Sequence, residues 1–168
     1  MSLRALALML VFSGCNCGHP VSQIPETGSW DRPGLTGRHL ASCDDPTCGD
    51  GSAVPVGGDH CPTWLACRKY TAEQKRCNWL HNLEHGHAVL LYNCPEGCAA
   101  DVAELERRFD AQLPRRILVA PDSTLPRRFA ALVWGHGWHG DVLDAAAIQA
   151  VLDQQDADAP EPGLSCGT

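Results

Sequence analysis

Within seven residues the chain places three imidazoles and a carboxylate, His81-Asn82-Leu83-Glu84-His85-Gly86-His87, and runs straight on into the apolar stretch Ala88-Val89-Leu90-Leu91-Tyr92. So dense a set of polar ligand groups at the mouth of a strand exceeds what core packing asks for. Imidazole nitrogen binds zinc, copper, iron and nickel, and two histidines four apart, such as His81 and His85, can present nitrogens to one ion from a helix face or across a tight turn. Metal ligation is therefore the first chemistry expected here.

His81-x-x-Glu84-His85 also matches the inverted zinc-protease motif, in which two histidines bind zinc and the glutamate activates its water. The β-run begins directly after Gly86, which leaves little room for a long ligand-bearing helix, and no downstream helix offers a clear carboxylate ligand. The protease reading is set aside on that ground. Taken singly, each residue reads as structural: His85 as a core imidazole bonded to backbone, Glu84 as a turn cap, Asn82 and Gly86 as positive-φ positions. Their concentration favours an ion. His136 and His139, within Gly135-His136-Gly137-Trp138-His139-Gly140, form a weaker second pair that reads as a surface turn.

The elements that must position these groups lie mostly downstream. Residues 88–93 predict a buried strand; 99–112 predict a helix with Val102, Leu105, Phe109 and, beyond its end, Leu113 on one side; 116–120 and 129–134 predict two further strands; 144–154 predict a helix carrying Ile148, Val151 and Leu152. Upstream, 71–80 has helical propensity with Thr71 as a cap and Gln74 in the capping-box position. The order β-α-β-β-α gives an α+β domain with a small mixed sheet, one face covered by the two helices. Residues 16–59 are rich in Gly, Pro, Ser, Thr and Asp without a period and read as a tether followed by irregular loops. Asp44 to Gly51 lacks the spacing of a calcium loop. The expected organisation is a leader over 1–14, tether and loops over 15–54, the α+β domain over 55–155 and an acidic tail over 156–168.

With 168 residues and 44% hydrophobic content the chain can bury one sizeable core. A formal charge of −7 offers no electrostatic footprint for nucleic acid or anionic lipid. Arg4 precedes the apolar run Ala5 to Phe12, then Ser13-Gly14-Cys15, the order of a charged, an apolar and a small-residue region in an export signal. The run falls far short of the ~20 residues of a membrane-spanning helix. Ser-Gly-Cys resembles a bacterial lipobox, with Phe12 where Leu is usual, which implies cleavage before Cys15, lipidation of its sulfur and attachment to a membrane in the cell envelope. An ordinary secretory signal cut nearby is the alternative.

Ten cysteines agree with an oxidising compartment. Cys15 is assigned to the anchor and Cys17 to the segment beside it, leaving Cys43, Cys48, Cys61, Cys67, Cys77, Cys94, Cys98 and Cys166 as candidates for four disulfides. Pairing is open, although Cys43 with Cys48 and Cys94 with Cys98 are sterically allowed. Their spacings differ from the C-x2-C repeats of structural zinc sites, which favours disulfides over thiolate ligation.

Gly58-Asp59-His60-Cys61-Pro62-Thr63-Trp64, then Tyr70, then His81-Asn82-Leu83-Glu84-His85-Gly86 and the strand to Tyr92, resemble the bacterial family of unknown function DUF3105. There a Gly-Pro-His segment precedes a Trp/Gly/Tyr segment and a His-Asn-Leu-Glu-His-Gly motif. The resemblance covers roughly residues 55 to 155, with the six-residue motif its most specific part. It implies an exported or membrane-tethered α+β domain and names no activity. His60, Tyr70, His81, Glu84 and His85 occupy the family pattern. Departures are Asp59 where Pro is usual, Cys61, Cys67 and Cys77 in a cysteine-poor stretch, and His87 in place of a small or aromatic residue. The family also reads 71–80 as extended.

The resemblance brings His60 into the ligand set. The expectation is that His60, His81 and His85 converge on one copper or zinc ion, with Glu84 completing the shell, orienting a ligand or acting as general base. The protein would then be a metal carrier or a metal-dependent enzyme. The competing class is a metal-free, disulfide-braced lipoprotein domain that binds an envelope protein or polymer.

Overall fold

The computed structural model describes residues 24–166; the expected signal segment, Cys15 and Cys17 lie outside them. Five strands form one mixed sheet in the order β1-β5-β4-β2-β3. β1 is Gly28–Asp31, β2 Ala88–Tyr92, β3 Ile117–Pro121, β4 Phe129–Val133 and β5 His136–Gly140. Three helices accompany them: α1 Arg76–Glu84, α2 Ala99–Ala111 and α3 Ala145–Leu152. β2 and β3 run parallel and α2 makes the crossover between them, while β2 with β4, β4 with β5 and β5 with β1 are antiparallel. This is the α+β class with a small mixed sheet that the alternation of elements predicts.

The central strands are apolar throughout because both faces of the sheet are buried. Ala88 and Leu90 of β2, Ile117 and Val119 of β3, and Phe129, Ala131 and Val133 of β4 pack with Leu105 and Phe109 of α2 and Ile148, Val151 and Leu152 of α3. Their alternating neighbours, Val89, Leu91, Leu118, Ala120, Ala130 and Leu132, pack with Trp79, Leu80 and Leu83 of α1 and with Val54 and Val56 of the preceding loops. A second covered face is thus added to the one expected. The Asp144 carboxylate caps α3 by accepting from Ala146 N and Ala147 N, 3.0 and 2.9 Å.

Three expectations change. The helix expected over 71–80 begins later and continues through Glu84, because its buried residues Cys77 to Glu84 are enclosed on all sides and pack whatever their position on the helix. His136 and His139 lie on β5 rather than in a turn. A Cβ on Gly137 would meet the Trp30 ring, so glycine there lets the β1 tryptophan close over the strand. β1 itself was hidden in the stretch read as loops.

Four disulfides join Cys43–Cys61, Cys48–Cys77, Cys67–Cys166 and Cys94–Cys98. Cys94 and Cys98 pair as neighbours, whereas Cys43 and Cys48 each take a partner across the fold. Four bridges in one domain point to an oxidising, extracytoplasmic environment. Among the described residues no helix is long and apolar enough to cross a membrane.

Candidate metal centre

The last turn of α1 carries His81 and Glu84, three residues apart and hence on one side of the helix. The helix stops in a Schellman motif: Gly86 N donates to Leu83 O at 2.9 Å and His87 N to Asn82 O at 3.0 Å, with Gly86 at φ +74°. A side chain at 86 would also strike the Asp156 carboxylate and Arg116. The apolar strand entry thus follows the motif without displacing the helix.

Opposite α1, two loop segments run side by side. His39 and His60 form a parallel bridge, in which Leu40 N donates to His60 O at 2.7 Å and His60 N to Arg38 O at 3.0 Å. An ion pair between Arg38 Nη2 and Asp59 Oδ2 at 2.6 Å clamps the residues just before each histidine, and Cys43–Cys61 ties the segments just after them. Asp59, where the family usually has proline, therefore serves as the clamp for this loop.

All three imidazoles face one oxygen. Glu84 Oε2 lies 2.9 Å from His60 Nε2, 3.6 Å from His39 Nε2 and 3.6 Å from His81 Nε2. The four ligand atoms lie within 4.8 Å of one another. Two ligands of one tetrahedral ion with bonds of 2.0–2.2 Å stand about 3.3–3.6 Å apart. The 3.6 Å spacings match that edge and are too long for hydrogen bonds. His60, fully buried, donates Nδ1–H to the Gly58 carbonyl at 2.8 Å and Nε2–H to Glu84 at 2.9 Å, which requires the protonated ring.

The electrostatics agree with that protonation. Burial disfavours the His60 charge, but the hydrogen bonds to Glu84 and Gly58 and the nearby carboxylates overcome it and raise its pKa. For Glu84, burial is likewise outweighed by the bond from His60 and by the neighbouring imidazoles, and its pKa falls below the usual value. Burial, together with His60 and His85, pushes His81 down to about 4, leaving it neutral with a lone pair to offer. An ion arriving here would take the place of the His60 Nε2 proton while the Nδ1 bond to backbone kept the ring oriented.

The ligand set that gathers round Glu84 contains His39 where the sequence pattern put His85. His85 lies beside His81, ring centroids 4.6 Å apart, but turns toward the C-terminal segment, its Nδ1 3.5 Å from Glu161 Oε2. Glu84, His85 and Glu161 make a second group within the same 4.8 Å limit. His87 belongs to neither: it is buried and donates Nε2–H to Leu164 O at 2.9 Å while Nδ1 accepts from Asn82 Nδ2 at 3.2 Å. It does stand beside Cys67 and Cys166, whose sulfurs are joined in a disulfide. Tyr70 uses its hydroxyl on Ala66 O at 2.8 Å and its N–H on Val119 O. His136 is held between Asp31 and Asp158, and His139 bonds Pro25 O.

Trp64, 40% exposed, stands edge-on over both His81 and His85 with centroids 5.1 and 4.7 Å away. Its loop is held by Asn82, whose side chain accepts from Leu65 N at 2.9 Å and donates to Leu65 O at 2.7 Å. The asparagine of the motif thus fixes the roof above the histidines. His39, with its side chain 51% exposed, forms the open side.

Comparison with curated proteins and with solved structures finds no match to the chain. Residues 47–168 match the family described as a protein of unknown function, DUF3105. The matched segment includes His60, His81, Glu84, His85 and Glu161 and begins after His39. Spanning most of the chain and carrying the motif on which the centre is built, this match shows that the chain belongs to the DUF3105 family.

Proposed function

We propose that the protein is an exported metal-binding protein whose ion is held by His39, His60, His81 and Glu84, with copper or zinc the ions best suited to three imidazoles and a carboxylate. The observation that carries this reading is the gathering of four ligand atoms within 4.8 Å from α1 and two separate loops. The bond from His60 Nδ1 to Gly58 O supports it, because a backbone acceptor behind a ligand imidazole directs the other nitrogen toward the ion. The long contacts from Glu84 to His39 and His81 fit a site made for a cation better than one complete in itself.

Four protein ligands fill a tetrahedral shell, which favours holding and passing on an ion over hydrolysis at it. Glu84 faces inward among the imidazoles, the place of a ligand rather than of a base waiting on water. His39 is half exposed and is the natural exchange side. The resemblance of Ser13-Gly14-Cys15 to a lipobox supports tethering to an envelope membrane. A metal-free binding module is the second reading, favoured by the 2.9 Å His60–Glu84 bond, which pairs the buried imidazole with the carboxylate directly.

Metal analysis of exported, untagged protein separates the two. We expect bound copper or zinc, of which about one equivalent is lost in His60→Ala and in His81→Ala. Protein that takes up neither ion at micromolar concentration would leave only the binding module.

A further inference from the structure

His85 is 2% exposed, yet neither Nδ1 nor Nε2 has a hydrogen-bond partner among the described residues. A neutral imidazole carries one donor and one acceptor, and buried polar groups are rarely left with both unmet. Nδ1 lies 3.5 Å from Glu161 Oε2, beyond a good hydrogen bond and within the about 3.3–3.6 Å that separates two ligands of one ion. One ligand atom each from Glu84, His85 and Glu161 falls within 4.8 Å of the others.

The segment that supplies Glu161 is built into the fold. Glu161 N donates to Glu84 O at 3.0 Å, which fastens this residue to the end of α1. Gly163 N donates to Asp156 Oδ1 at 2.9 Å, Asp156 pairs with Arg116 at 2.5 Å, and Arg116 Nη2 donates to His85 O at 2.9 Å. Three residues beyond Gly163, Cys166 is bonded to Cys67. The carboxylate of Glu161 is thus delivered to His85 by a braced strap.

The geometry points to a second cation position, held by His85 and Glu161 and sharing Glu84 with the first, so that one carboxylate bridges a two-ion centre. It rests on the metal-binding reading above and extends it. Bridging carboxylates with two ions about 3.5–4 Å apart are an established arrangement for paired metals, and His81 and His85, one on each ion, lie side by side here. The two positions differ in kind. The first has four protein ligands and is closed; the second has three and, with Glu161 62% exposed at its side, retains a coordination place for water. Nitrogen and carboxylate donors suit zinc or copper(II) at both.

The test uses the full untagged chain, stripped of metal and titrated with zinc(II) and, separately, copper(II). Zinc content after desalting should be two per chain in wild type and one in Glu161→Gln and His85→Ala. With two equivalents of copper(II), wild type should show the reduced electron paramagnetic resonance intensity of coupled ions, and Glu161→Gln the full intensity of an isolated ion. Glu161→Gln alters an exposed side chain and reads the position even where His85→Ala fails to fold. One ion per chain in wild type, unaffected by Glu161→Gln and lost in His60→Ala, overturns the second position and leaves the first. Two ions that survive Glu161→Gln place the second ion elsewhere and also overturn it. No ion in wild type overturns both readings.

Discussion

Three histidines of one short motif have three different surroundings. His81 offers a neutral nitrogen to Glu84 and its companions, His85 faces Glu161, and His87 is a structural imidazole satisfied on both nitrogens. Burial, with Arg116 and His85 nearby and against the pull of the Leu164 bond and Asp156, depresses the His87 pKa to about 4. The unfolded chain takes up a proton at this residue near 6.5, so between about pH 6.5 and 4 it binds more protons than the folded chain and stability falls with acidification. The contribution is on the order of 3 kcal/mol, complete by about pH 4. His87→Gln keeps a donor and an acceptor, and denaturant unfolding at pH 7, 5.5 and 4 should show a shallower loss in the variant; parallel curves would refute the assignment. At this scale His60, His81 and Glu84 were legible because they sit in a dense motif or the family pattern. His39 was not, since it lies 21 residues before its bridge partner in a stretch without period. Glu161 was equally hidden among the acidic residues of the tail.

The elements most readily read were those whose burial follows one rule. β2, β3 and β4 are short apolar runs, and α2 and α3 show one buried side. α1 was displaced in the reading because its buried set covers the whole circumference and includes His81, Asn82 and Glu84, so neither period nor polarity marks it. β5 mixes two glycines with three large rings, a pattern that resembles a turn until Trp30 is seen filling the space above Gly137. The C-terminal strap read as a tail because its order comes from Cys67, 99 residues earlier, and from Arg116. Closing so long a loop stabilises by about 2–5 kcal/mol, far more than the Cys94–Cys98 link. Replacing Cys67 and Cys166 together by serine should lower the unfolding free energy by that amount and open residues 156–166 to proteolysis and amide exchange. Protection of that segment equal to wild type would show that Arg116 and Glu84 hold it without the bridge.

Taken as a whole molecule, the chain combines a doubly covered sheet with a loop shell braced by disulfides on the side where the histidines lie. That shell points to an oxidising compartment, and a leader over residues 1–14, cut before Cys15, is the route expected there. Cys15→Ala should move the protein from the membrane fraction to the soluble envelope fraction, followed by fractionation and mass spectrometry of the N-terminal peptide; an unmodified peptide with unchanged membrane association would dismiss the lipid anchor. The Cys43–Cys61 bridge carries a further consequence, one of timing. It closes just beyond His39 and His60 and is the covalent link between the two loops that present them. Before that bond forms, the entropy of two loose segments opposes bringing these imidazoles to Glu84. If the proposed centre takes up an ion, a chain with Cys43 and Cys61 still reduced would be a poor competitor for it, and loading would wait on oxidation of that pair.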